Sequence, residues 1–383
     1  MSMPTLPQTG EQLLAQMVAI DSVNPRYGGP VGGEADLAAH LETLAQAWGL
    51  RTRRCPVGTD GSFNLIVAAP EMAGAEWLIF ESHLDTVSYA GMVVPPLTLT
   101  ETDGRLFGRG ACDTKASGAA MLWALQAWAA TPGRCRNAAI AFVVDEEAGM
   151  TGAQAFARDD LARYAPLRGV IVGEPTRLRP VVSHNGAFRW RSVTRGVAAH
   201  SADPTKGRSA IRAMMAVVAA LEERMIPLAN RESPFTGRAA ASINVIRGGS
   251  AQNIIPDRCE ILCDRRLVPG ETLEQVITER ERALEGLDVE HDDEYLAPPL
   301  PPENSAALHR WMTSALTGQG LDATAVGAPY ATDASHYAAA GAQVVVIGPG
   351  DLAQAHCKDE WLERDQFVRA IALYRAMLDL PAS

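Results

Sequence analysis

Seven side chains able to serve as acids, bases or metal ligands sit where apolar runs of the chain give way to polar or glycine-rich residues. They are His83 and Asp85 in "LIFESHLDTV", Asp113 in "GRGACD", Glu146 and Glu147 in "DEEAG", Glu174 in "GEPT" and His356 in "QAHCKDEW". Taken singly, each has an ordinary explanation: a lone histidine satisfied in a core, or an acidic pair favouring a helix N-terminus. Taken together they do not. Carboxylates gathered at one rim of a fold repel, raise one another's pKa and destabilise it unless a cation neutralises them. Two imidazoles among carboxylates suit zinc, or a related ion such as cobalt or manganese. Five ligands exceed what one tetrahedral ion with an open position needs, so two Zn2+ ions sharing one carboxylate is the economical count.

Such a cluster needs a scaffold that brings distant segments to one edge. Four apolar runs read as buried strands: "WLIF" (77–80), "AIAFVV" (139–144), "GVIV" (169–172) and "QVVVI" (343–347). Helical patterns separate them, at Ala116 to Ala130 and Ala307 to Thr317. This alternation predicts an α/β layer fold, a mixed sheet with helices on both faces, with ligands held beyond the carboxyl ends of the strands. Between about Asn185 and Leu296 the rhythm changes to β-α-β-β-α-β, the order of a ferredoxin-like α+β unit. The expected division is a discontinuous catalytic domain, 1–184 and 297–383, interrupted by an inserted domain, 185–296, with the Pro-rich borders "GEPTRLRPVVSHNG" and "LAPPLPPENS" as hinges.

Composition narrows the chemistry further. A formal net charge of -11 and a pI near 5.3 argue against a nucleic-acid partner. No secretory signal is read at the start, and the most apolar stretch, "GAAMLWALQAWAA", is too short to cross a bilayer, so no membrane role and a cytoplasmic location are expected. The six cysteines form no CxxC pair and read as reduced thiols. Neither HExxH nor GxSxG occurs, and "GRGACD" puts Asp113 where a dinucleotide fingerprint needs glycine.

The strings "SHLDTV", "GRGACDTKASGAA", "DEEAG", "GEPT", "GVAAHSADPTKGRSAI", "AQNIIPDRCEILCDRRLVPG", "ATDASHY" and "IGPGDLAQAHCKDEWL" occur in this order almost end to end. In them the chain resembles the dinuclear zinc family of acetylornithine deacetylase, succinyl-diaminopimelate desuccinylase, aminoacylase and glutamate carboxypeptidase, and acetylornithine deacetylase most of all. The resemblance implies that His83 and Glu174 hold one zinc, Glu147 and His356 the other, and Asp113 bridges both. It makes Asp85 the partner of the far nitrogen of His83, fixing its tautomer. Glu146 is implied to be the general base, moving a proton from a zinc-activated water to the departing amine. His200 is implied to contact the oxyanion from an inserted lid that also serves dimerisation, so a homodimer is expected.

Substrate contacts are implied for Arg266, for Asn253 as a lid contact, and for Gly348 and Gly350; the structural alternatives are an exposed strand arginine for Arg266 and a tight turn after a strand for the two glycines. Asp333 is read as site support or substrate contact, while His336 and His184 carry no assignment. Glu81 and Ser82 are read as solvated at the strand end. Asn185-Gly186 stands where many relatives carry Lys-Gly, which implies a point of altered specificity; Glu174, where other branches have aspartate, points to the deacylase and carboxypeptidase branches. The expected function is hydrolysis of the amide of N-acyl amino acids. Alternatives are desuccinylase, general aminoacylase or carboxypeptidase and dipeptidase action on the same site, or a non-catalytic metal-stabilised binding protein. A pure binder would need neither Glu146 nor His200.

Overall fold

The computed structural model describes residues 5–59 and 61–382. The chain forms two compact units. One runs up to Val182 and includes Pro302–Val326 and the residues from Thr332 on; the other is Ser183–Pro301 with Gly327–Ala331.

The first unit is built on an eight-stranded mixed sheet, in the order Arg51–Pro56, Phe63–Ala68, Asn137–Val143, Trp77–His83, Leu167–Val172, Val344–Val346, Val181–His184, Val326–Ala328, the last two of which begin in this unit. The four central strands, from Asn137–Val143 to Val344–Val346, run parallel, while Arg51–Pro56, Phe63–Ala68 and Val181–His184 each pair antiparallel with the neighbour on their central side. These central strands are the four apolar runs of the sequence. They tolerate apolar residues at consecutive positions because both faces are covered. Leu78, Phe80, Ile140, Phe142, Ile171 and Val345 join a core completed by the helices Gly10–Val18, Lys115–Ala129 and Arg364–Asp379. Ile79, Ala139, Ala141, Val170, Val344 and Val346 alternate with them and are equally buried, on the side where Thr151–Ala155 and Ala334–Ala339 pack.

The second unit carries a four-stranded antiparallel sheet ordered Ala240–Gly248, Arg258–Leu267, Gly186–Arg195, Glu290–Ala297. With the helices Ala210–Ala220 and Leu273–Ala283 it has the β-α-β-β-α-β order read from the sequence. Leu273–Ala283 starts on a capping box, Thr272 accepting from the Gln275 N–H and Gln275 reaching back to Thr272. Phe188, Trp190, Met214, Val217, Ile261 and Val276 form its core. Two short pairs are not visible in the sequence pattern: Glu232–Ser233 with Gly237–Arg238, and Ala199–His200 with Ile254–Ile255. Two-residue strands carry no periodicity to detect.

Among the described residues no helix is long and apolar enough to cross a membrane. All six cysteines are free.

Candidate metal centre

Three parallel strands deliver their following residues to one end of the first unit's sheet. His83 closes the strand Trp77–His83, Glu146 and Glu147 follow Asn137–Val143, and Glu174 follows Leu167–Val172. The register pairs His83 with Val143 and Glu81 with Val172, which levels the three strand ends. Asp113 arrives from the loop before the helix Lys115–Ala129, and His356 from the loop after Leu352–Gln354, with φ of 61°.

The Asp113 carboxylate divides its oxygens between the two histidines. His83 Nε2 lies 3.2 Å from Oδ1 and His356 Nε2 lies 3.2 Å from Oδ2. Glu174 Oε1 is 3.9 Å from His83 Nε2, and Glu147 Oε2 is 3.0 Å from His356 Nε2. All five predicted ligands therefore converge, and candidate ligand atoms of His83, Asp113 and Glu147 lie within 4.8 Å of one another. A tetrahedral ion with ligands at ~2.0–2.2 Å sets neighbouring donors ~3.3–3.6 Å apart, so this spacing fits a cation on each side of Asp113.

The electrostatics point the same way. Burial opposes a charge on His83, but Asp113 and Asp85 outweigh it and hold the imidazole well above its usual pKa. Hydrogen bonds to Asp113 and Glu147 push His356 up to about 10. Burial would raise Asp113, yet His356 and His83 hold it below the usual carboxylate range. Burial and the Asp113 charge push Glu147 up to about 7 and carry Glu174 well above its usual value. Glu146 is raised by burial and by Asp333, Glu147 and Asp85, against the pull of His83. Imidazoles and carboxyls pushed upward together are what a crowd of uncompensated carboxylates produces, a charge that divalent cations would neutralise directly. The donor set fits two such ions.

Asp85 meets the far nitrogen of His83 through both its backbone and its carboxylate. His83 Nδ1 is 2.9 Å from the Asp85 carbonyl oxygen and 3.4 Å from Oδ1, so the backbone makes the shorter contact. The fully buried carboxylate also accepts the backbone N–H groups of Glu146 and Glu147, each at 3.1 Å, and the Asn24 amide at 2.8 Å. The carbonyl and Oδ1 both face Nδ1 and favour the tautomer that carries its proton there. Asp85 thereby shapes the turn that presents both glutamates.

Glu81 and Ser82 are not solvated: each is 1% exposed. Side chains of a strand covered on both faces meet protein, not water. Burial, with Glu146 and Asp85 adding to it against His83, lifts Glu81 to about 8. Asp333, also buried, is raised by burial and by Glu81. Asn24 and Glu34 join the same network, Asn24 bridging Asp85 to Asp145 and Glu34 accepting from the Asp145 N–H. Only the "DSVNP" string hinted at Asn24, as an N-cap before proline.

Gly348 and Gly350 have packing reasons of their own. A Cβ at Gly348 would lie 2.6 Å from the Glu174 carbonyl oxygen, and one at Gly350, with φ of 91°, 2.6 Å from Cys112 Sγ. In the second unit, His200 and Asn253 come together: His200 pairs with Ile254, and the Asn253 carbonyl accepts from the Ser201 N–H at 3.0 Å. Arg266 lies on Arg258–Leu267, its Nε 2.7 Å from Asp264 Oδ1. His184 is buried, its Nδ1 2.9 Å from the Asn185 carbonyl, and the Asn185 amide turns toward the Pro329 carbonyl.

His336 gives a pH prediction. Burial holds its imidazole down from the usual 6.5 to about 4, and Nε2 has no hydrogen-bond partner among the described residues. The folded chain therefore binds fewer protons here than the unfolded chain between these values, so stability falls as pH drops through that window. Denaturant unfolding of metal-free protein should show His336→Leu removing on the order of 2–3 kcal/mol of this acid loss. Parallel curves for variant and wild type would refute it.

Comparison with known proteins places this centre. The family model for peptidase family M20/M25/M40 matches residues 79–380. A curated acetylornithine deacetylase of Myxococcus xanthus is 30% identical over 381 residues, covering 94% of each chain. Among solved structures, the M20 family metallo-carboxypeptidase Sso-CP2 of Sulfolobus solfataricus has a TM-score of 0.80 at 17% identity, covering 98% of this chain and 99% of that one. A dinuclear metal binding peptidase of Bacillus subtilis has a TM-score of 0.69 at 13% identity, covering 96% of each. These two likenesses concern the fold; the family match, across most of the chain, and the curated relative, across nearly all of it, show that the chain belongs to peptidase family M20/M25/M40 and is an enzyme of the metallopeptidase and amidohydrolase kind.

Proposed function

We propose that this enzyme hydrolyses the amide of N-acyl amino acids, with N-acetyl-ornithine-like compounds as the leading substrates. The observation that carries the reading is Asp113 dividing its two oxygens between His83 and His356, with Glu146 left beside that set. His83 and Glu174 would hold one divalent cation, His356 and Glu147 the other, and Asp113 would touch both; zinc is the first choice and cobalt or manganese the substitutes. When bound, such a pair lowers the pKa of a shared water to ~7 and polarises the amide carbonyl.

The chain's own groups do the rest. Glu146, kept high in pKa by burial and neighbouring carboxylates, accepts the water's proton and returns it to the departing amine. Asp85 holds Glu146 and Glu147 at their backbone N–H groups, so the base and a ligand are set by one carboxylate. By resemblance, His200 donates to the developing oxyanion, Arg266 takes the substrate carboxylate, and the second unit acts as lid and homodimer contact. The same resemblance supports a cytoplasmic enzyme of amino-acid metabolism, arginine biosynthesis included.

The acyl group is the finer part of the reading, and the curated deacetylase relative supports acetyl. Turnover of zinc- and cobalt-loaded protein should be measured on N-acetyl, N-succinyl and dipeptide compounds. Fastest cleavage of N-acetyl compounds is expected. Preference for N-succinyl compounds or dipeptides would move the enzyme to a sister activity on the same site, and silence across the panel with both ions bound would favour a binding protein.

A further inference from the structure

The strongest unassigned feature of the first unit is a buried carboxylate that touches neither imidazole. Glu360 is fully buried and immediately precedes the strand Trp361–Glu363, which pairs with Arg105–Phe107 through Leu362 and Leu106. That pairing lays Glu360 across the loop leading to Asp113, where its own carbonyl accepts the Gly108 N–H at 3.2 Å. One carboxylate oxygen accepts the N–H groups of Cys112 at 2.8 Å and Asp113 at 3.0 Å; the other accepts Arg109 Nη1 at 2.6 Å and the Gly110 N–H at 3.0 Å. The second arm of Arg109 donates to the carbonyls of Ser88 at 3.0 Å and Cys357 at 3.3 Å. Cys357 adjoins His356, and Glu360 lies four residues beyond it. Thus the two loops that carry Asp113 and His356 are fastened to each other twice, once through Glu360 and once through Arg109.

We propose that Glu360, locked by Arg109, is a positioning residue for the metal centre: it fixes the Asp113 loop against the His356 loop, so that the cation of His356, Glu147 and Asp113 is bound. The inference rests on the two-metal reading above. All four groups facing the carboxylate are donors, so the position demands an acceptor on both sides. Glutamine matches the shape but not this demand, because whichever way its amide turns, an NH2 faces two donors. The cost falls on the placement of the Asp113 backbone, hence on the shared ligand, while His83 and Glu174 keep their own supports from the central strands.

The test compares wild type with Glu360→Gln and Arg109→Lys, reading zinc ions per chain after dialysis, the rate of zinc release to a chelator, and kcat and KM with and without added zinc. Wild type should hold two ions. Glu360→Gln should keep one tightly and bind the second ~10–100-fold more weakly, the range for groups that support a ligand. Excess zinc should then restore kcat with KM unchanged, which a general loss of folding would not do. Arg109→Lys keeps the carboxylate but loses one arm of the fork, so it should shift the second ion in the same direction by less; it carries the test if Glu360→Gln does not fold. Two ions bound with wild-type release rates in the folded variants would overturn the positioning role and leave the two-metal reading intact, and equal weakening of both ions would overturn it as well. A wild-type protein that never holds two ions would sink that reading and this inference together.

Discussion

Glu146→Gln should leave two ions per chain in place while kcat falls by ~10²–10⁴-fold, the contribution of a positioned proton carrier. The substitution keeps the size of the side chain and the backbone N–H that Asp85 accepts at 3.1 Å, so the turn presenting Glu147 is undisturbed. It removes only the ability to take up and release a proton. The surroundings of Glu146 suit proton transfer, since burial and the Asp333, Glu147 and Asp85 carboxylates raise it while His83 pulls against them. Cations at the neighbouring ligands would add to that pull and bring the carboxyl back toward the range where it accepts a proton near neutral pH. Metal content and turnover measured on the same preparation decide the matter. Unchanged turnover would remove Glu146 as the base, and loss of metal with turnover would make it a ligand.

The fold explains which parts of this centre can be read from the sequence. His83, Glu146, Glu147 and Glu174 each follow a continuous apolar run, and a run buried on both faces ends abruptly where the sheet ends, so the polar residues after it mark the rim. Asp113 and His356 sit in loops, where no periodicity announces them; residue type singles them out as candidates, their ligand roles are implied by resemblance alone, and the structure sets the two side chains 3.2 Å apart. What stays hidden is burial and backbone pairing. Glu81 follows the apolar run 77–80 and reads as solvated at the strand end, yet it is 1% exposed because this sheet is covered on both faces. Glu360 lies in a charged string, "CKDEW", whose look is that of a surface turn. Its role depends on backbone N–H groups roughly 250 residues away in sequence. Asp85 shows the same limit on a smaller scale: its presence two residues after His83 is plain, but that its carbonyl lies nearer the imidazole than its carboxylate depends on the backbone path.

Asp113→Asn is the sharper test of the centre, because it removes one charge and one acceptor while keeping the shape. The carboxylate offers an oxygen to each histidine side; an amide offers one oxygen and one NH2, and an NH2 is no metal ligand. At most one cation then keeps its contact with residue 113, and that contact is neutral. The variant should hold no more than one zinc per chain after dialysis, and kcat should fall by more than the ~10²–10³-fold that loss of a single preorganised charge contact costs. Excess zinc should not restore it, in contrast to Glu360→Gln, since the ligand itself is missing and not merely misplaced. His356→Ala provides the comparison: it removes one ligand of one ion and should leave the His83 side loaded. If Asp113→Asn retained two ions and wild-type turnover, Asp113 would not be the shared ligand. The opposed pulls on His83, His356 and Asp113 would then describe an ordinary buried ion-pair network, which also perturbs pKa values without doing chemistry.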